Sequence, residues 1–113
     1  MGQVRFRLEV PASAPAGQES TVRVAVRDTS EADALHPAVA EAVSRMAVDT
    51  DGVELSLDLP ETLDPRHRYS VWAHVDRDGS GEIAAGDLIT TRDVALDPQR
   101  LGPGPIDVPL TQI

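Results

Sequence analysis

Asp76, Asp78 and Ser80 put side-chain oxygens at the first, third and fifth positions of a twelve-residue stretch that closes on Asp87. That spacing suits a calcium loop. Gly81 stands sixth, where such a loop must turn sharply, and Glu82 stands seventh, where the backbone carbonyl becomes a ligand. Ile83 follows as an apolar residue able to anchor the loop to a core. Ala84, at the ninth position, has no side-chain oxygen, so a water must serve there. Asp87 closes the loop with a carboxylate one methylene shorter than glutamate. Calcium takes about six to eight oxygens in irregular geometry, and alternating carboxylates wrap inward around one point. Without a cation these carboxylates repel one another. The competing reading is a polar hairpin turn, since Asp, Gly and Ser dominate turns. A two-residue turn needs only Asp78-Gly79, not an oxygen at the fifth position or a carboxylate at the twelfth.

The flanks decide what kind of loop this is. Tyr69, Val71, Ala73 and Val75 alternate with Ser70, Trp72 and His74, a period of two that predicts a strand. Leu88 to Val94 is β-branched and predicts another. A helix-loop-helix hand is not expected, and the loop is read as a calcium site joining two strands.

Nineteen acids against ten bases give a formal charge of −9, which argues against nucleic acid and anionic membrane surfaces as partners. The absence of cysteine excludes disulfides, thiolate metal sites and cysteine nucleophiles. No apolar run is long enough to cross a bilayer, so no membrane insertion is expected. The first residues lack a basic patch followed by an apolar run, so no signal peptide is read. Three carboxylates and one missing side-chain ligand imply modest calcium affinity, a site that fills outside a cell. An exported mature domain, periplasmic or extracellular, is therefore expected, with the cytoplasm as the alternative.

The remaining chain reads as scaffold. Val4, Phe6, Leu8 and Val10 alternate with Arg5, Arg7 and Glu9 in a first strand that stops at Pro11. Ser20 to Asp28 repeats the pattern through Val22, Val24 and Val26. Val53, Leu55, Leu57 and Leu59 form another strand, after an Asp51-Gly52 turn and before Pro60. Ala12 to Gly17, Asp28 to Pro37 and Asp97 to Pro105 are loops. Ala38 to Val48 fits either a helix, by its alanines, or a strand, by Val39, Glu41 and Val43. Leu63, Asp64-Pro65 and Tyr69 have the spacing of a tyrosine corner, in which a tyrosine bonds back to nearby backbone; a proline turn beside an interfacial tyrosine is the alternative. Ile106 to Ile113 is a final strand whose Pro109 suits an edge. With aromatics at 3%, the core must be Val, Leu, Ile and Ala. Phe6, Val24, Leu57, Val71 and Trp72 are expected to be mostly buried. The prediction is a single all-β domain over residues 1–113, an immunoglobulin-like β-sandwich of about seven strands, with a small closed barrel as the alternative.

Several of these pieces together resemble a known family. The run from Val24 to Ala34 is similar to the strand-and-turn signature of YbaY-type bacterial lipoproteins, which are related to the YscW-type pilotins of type III secretion. Arg68 to Asp76 resembles their later strand, and Gly86 to Thr91 resembles the segment after that strand. The resemblance implies a β-sandwich, no established enzymatic activity and an extended Ala38 to Val48. The lipoprotein cysteine is missing here, so membrane anchoring does not carry over. Some members of that family lack the loop, which would make metal binding a subgroup property. The loop itself resembles that of dockerins, but their helices and duplicated loop are absent, so cohesin binding does not carry over.

Other chemistry is weaker. His36, His67 and His74 have no spacing that aims two imidazoles at one metal. His74 shares a strand face with Trp72, which suggests packing. A strand after Gly79 and Gly81 offers no helix N-terminus to a phosphate. Few aromatics are available to stack sugars. Two functional classes remain. One is a calcium-stabilised, non-enzymatic accessory module that contacts a protein partner, as a monomer or weak dimer. The other is a metal-assisted hydrolase of a small or carbohydrate substrate. An open metal position in a cleft separates the second from the first.

Overall fold

The computed structural model describes residues 3–11, 18–29, 38–48, 52–60, 63–64, 66–77, 79–92, 94–97 and 104–113. The segments 12–17, 30–37, 49–51 and 98–103, read above as loops and turns, lie outside the described residues, as does Asp78.

Period-two patterning becomes strand wherever it was clean. β1 spans Gln3–Glu9, β2 Gln18–Asp28, β4 Val53–Asp58 and β5 Tyr69–Asp76. In β1 every second residue is buried, Val4, Phe6 and Leu8, while Arg5, Arg7 and Glu9 face solvent. β4 repeats this with Val53, Leu55 and Leu57. The ambiguous Ala38–Val48 is the long strand β3. Pairing with β2 over its whole length overrides the helical preference of its alanines.

The strands form two sheets with one core between them. In the smaller sheet β1 lies between β4 and the parallel β8 (Ile106–Pro109). In the larger, the order is β3-β2-β5-β6-β9, with β6 at Leu88–Ile89 and β9 at Thr111–Gln112, and β7 (Val94–Leu96) also pairs with β5. Val22, Val24 and Val26 of β2 and Val71, Ala73 and Val75 of β5 meet Phe6, Leu8 and Leu55 in one apolar cluster. The fold is the expected all-β sandwich, with nine strands among the described residues rather than about seven. No helix among them is long and apolar enough to cross a membrane.

Two predicted strands are each divided, and each break falls where the chain meets a strand distant in sequence. Leu88 to Val94 is interrupted at Thr90. There the Thr90 side chain, not its carbonyl, accepts the bond from the Ala73 amide at 3.3 Å, while the Thr90 amide donates to the Ala73 carbonyl at 3.1 Å. β6 and β7 thus share one side of β5 at its two ends. Ile106 to Ile113 is interrupted at Leu110, whose amide donates to Glu9 at 3.1 Å. Before it, β8 belongs to the smaller sheet; after it, β9 belongs to the larger. Strands that change sheets in this way close the corners of β-sandwiches.

The tyrosine corner is present. Buried Tyr69 donates its hydroxyl to the Asp64 carbonyl at 2.8 Å. Trp72, by contrast, is only half-buried. It lies on the outer face of β5, with the Arg27 guanidinium 5.0 Å from its ring centre.

Candidate metal centre

Alternation along β5 sends Tyr69, Val71, Ala73 and Val75 inward and leaves His74 and Asp76 on the opposite face. The loop after β5 folds back over that face and buries both. Gly79 and Gly81 adopt φ of 72° and 83°, a left-handed conformation that side chains resist and that lets the chain reverse here. The sharp turn expected at Gly81 is therefore present.

Asp76 organises the start of the loop. Its Oδ1 accepts from the Gly79 amide at 3.1 Å and its Oδ2 from the Gly81 amide at 2.7 Å. Asp87, 1% exposed, organises the end. Its Oδ1 accepts from the Arg77 amide at 2.9 Å and its Oδ2 from the Ala84 amide at 3.1 Å. His74 Nε2 lies 2.8 Å from the same Oδ2, and a proton on Nε2 makes this a charge-assisted bond to the carboxylate. One ligand atom each from His74, Asp76 and Asp87 lies within 4.8 Å of the others.

This geometry brings together some of the residues read from the sequence and not others. Asp76 and Asp87, eleven positions apart, converge as the loop spacing requires. Ser80 and Glu82 are exposed and engage each other: the Ser80 hydroxyl donates to the Glu82 carbonyl at 3.1 Å, the oxygen expected to face a metal. The Glu82 amide returns a bond to Ser80 Oγ at 3.2 Å. Ile83 does not anchor the loop to the core; it is 53% exposed, because the loop is held by its two aspartates rather than by apolar packing. Ala84 contributes through its amide instead.

His74 is the residue whose part in the site its position in the sequence does not announce. The packing beside Trp72 is there, with the two rings 5.8 Å apart. Its larger role is to hold Asp87. The signal was a histidine two residues before the first loop carboxylate, which on a strand places both side chains on one face. The loop end is also fixed from the distant C-terminal strand: the Gly86 amide donates to Ile113 at 2.6 Å, and the Ile113 amide to Asp87 at 3.0 Å.

Chemically, two buried carboxylates so close together need compensation. Four loop amides and one imidazole supply it; the Asp76 oxygens and Asp87 Oδ1 keep further lone-pair capacity for a hard cation, while Asp87 Oδ2 already accepts two bonds. A second polar cluster sits at the other end of β5. There His67 Nδ1 is 2.8 Å from Asp28 Oδ2, and that bond raises the imidazole pKa. Arg66, through its amide and guanidinium, holds the Asp64 carboxyl below the usual range.

Comparison with known proteins places the chain. Among curated proteins, no sequence matches it. Among solved structures, it is similar to an alternative pilotin from the type II secretion system of Vibrio cholerae. The TM-score is 0.69 at 20% identity, covering 98% of this chain and 97% of that one. At that identity the likeness concerns the fold. A scan of protein families matches residues 1–94 to the type III secretion system lipoprotein chaperones named YscW. On that match over most of its length, the chain belongs to the YscW family.

Proposed function

We propose that this chain is a non-enzymatic chaperone-like module that binds a protein subunit of a bacterial secretion apparatus and acts in the cell envelope. The observation that carries the reading is the YscW match over residues 1–94, a family described as lipoprotein chaperones of type III secretion. The fold shared with a type II pilotin supports it. The test is cross-linking of the tagged chain in its own bacterium, with and without deletion of the gene. A secretion-system subunit is expected among the adducts, and its level in the envelope should fall on deletion. A tagged chain confined to the cytosol, with no such adduct and an unchanged envelope, overturns the reading.

The same proposal includes structural calcium held by Asp76, Asp78, Ser80, Glu82 and Asp87. Three features support it: the twelve-residue spacing, the burial of Asp76 and Asp87 side by side, and the turn at Gly79 and Gly81. His74 orients Asp87 in this reading. Titration calorimetry with calcium chloride tests it; no binding heat for the wild type, and none lost in Asp87→Ala, removes calcium from the proposal.

A further inference from the structure

β3 forms one edge of the larger sheet. Among the described residues, β2 pairs with one of its sides and no strand pairs with the other. Natural edges are blunted by shortness, proline, lysine or bulges. The other edges here follow that rule: β9 has two residues, β8 ends in Pro109, and β4 has six residues between Gly52 and Pro60. β3 does not follow it. It runs eleven residues without proline, glycine or lysine, and the irregularity in its ladder with β2 lies only at its first residues. Beyond that irregularity its outward face reads Glu41, Val43, Arg45 and Ala47, and Val43 is 50% exposed.

That face is complementary to itself. Counting outward from Val43, a carboxylate stands two residues before and a guanidinium two residues after. We propose that β3 is the docking edge for a second copy of this chain, paired antiparallel about a two-fold axis through Val43. In that register Glu41 faces Arg45 of the second copy, Arg45 faces its Glu41, and Val43 meets Val43. On the inner face Ala42 meets Ser44 and Ala40 meets Met46. Sliding by two residues sets each charge against an apolar side chain. Sliding by four sets Glu41 on Glu41 or Arg45 on Arg45. Opposite charges directly across a strand pair stabilise and like charges destabilise, so the charges select one register. The flanking ion pairs extend the pattern. Arg45 reaches Glu19 at 2.7 Å and Glu41 approaches Arg23 at 4.0 Å, so the row Glu19, Arg45, Glu41 and Arg23 alternates in sign across the joined sheets. The contact is isologous and closed, as two-fold dimers are.

Sedimentation velocity from low-micromolar to near-millimolar protein tests this. The wild type should show a concentration-dependent dimer. Glu41→Arg and Arg45→Glu should each weaken self-association at least about tenfold, since each replaces two attractive cross-strand pairs by two repulsive ones. An equimolar mixture of the two variants should recover the dimer, because each then faces its opposite charge. The chain has no cysteine, so Val43→Cys gives an independent measurement. Across an antiparallel pair the Cα atoms stand about 4.5–5.5 Å apart, within disulfide reach. Mild oxidation should link Val43→Cys to itself much faster than Ala47→Cys. A wild type that stays monomeric, charge variants that dimerise like the wild type, or equal cross-linking of the two cysteine variants overturns the proposal.

Discussion

His74 and Asp87 lie on different elements, one in β5 and one at the end of the loop, and meet across 2.8 Å with both side chains buried. That bond ties the loop to the sheet. His74→Ala leaves Asp87 Oδ2 with the Ala84 amide as its remaining donor at that oxygen. Loss of a partner to a buried charged group costs about 1–3 kcal/mol. The expected result in urea unfolding is a lower midpoint with an unchanged slope, and His74→Gln, which keeps a donor, should lose less.

Calcium should raise the melting temperature of the wild type above that measured in chelator. A ligand specific for the folded state stabilises by about 2.7 kcal/mol at a hundredfold excess over Kd. Asp76→Ala and Asp87→Ala should abolish the difference. They should also melt lower in chelator, because their oxygens accept the loop amides of Gly79, Gly81, Arg77 and Ala84. Ser80→Ala should reduce the difference only in part, since water can replace a hydroxyl. Equal wild-type melting in the two conditions would reduce the loop to a hydrogen-bonded brace.

Gly52→Ala tests the residue just before β4. Gly52 has φ of 95°, and an added Cβ would stand 2.9 Å from the Leu8 carbonyl. The left-handed strain alone is about 1 kcal/mol or more, and the backbone oxygen has no flexible side chain to move aside. A loss of about 1–3 kcal/mol by thermal or urea melting is expected. Gly79 and Gly81 share the positive φ, but a Cβ there meets nothing within 4 Å, so alanine at either should cost less.

The His67 imidazole should titrate above the ordinary value of 6.5, because Asp28 accepts its hydrogen bond. A raised folded-state pKa stabilises the fold fully below the unfolded value and loses that contribution as pH rises through the folded value. The exposed site makes the effect small. Proton NMR titration of the ring checks it: Asp28→Asn should bring the midpoint down, and a wild-type midpoint at or below 6.5 would contradict it.

The scaffold was legible where burial alternates. Val4, Phe6 and Leu8, or Val53, Leu55 and Leu57, declare one buried face, and that face is the core. The tyrosine corner was one of two readings open at Tyr69, and the hydroxyl bond to Asp64, five residues away, decides for it. Features that depend on distant strands were not legible. Thr90 breaks its strand where it meets Ala73, and Leu110 passes between sheets where it meets Glu9. In the loop, Asp76 and Asp87 were readable from spacing, whereas His74 became part of the site only when the loop covered its face. Ile83 looked like an anchor by type, yet hydrogen bonds rather than apolar contact hold this loop.

The parallel ladder joining β1 to β8 pairs Phe6 with Ile106. The first strand therefore waits for a partner from nearly the far end of the sequence before its sheet is complete. Non-local pairings of this kind delay folding, since the intervening chain must close as a loop before the contact forms. A chain crossing a membrane in extended form would keep this sandwich open until almost all of it had passed. Until that pairing forms, β1 keeps one side open, and the interval before closure is when exposed strand edges are most prone to wrong pairing.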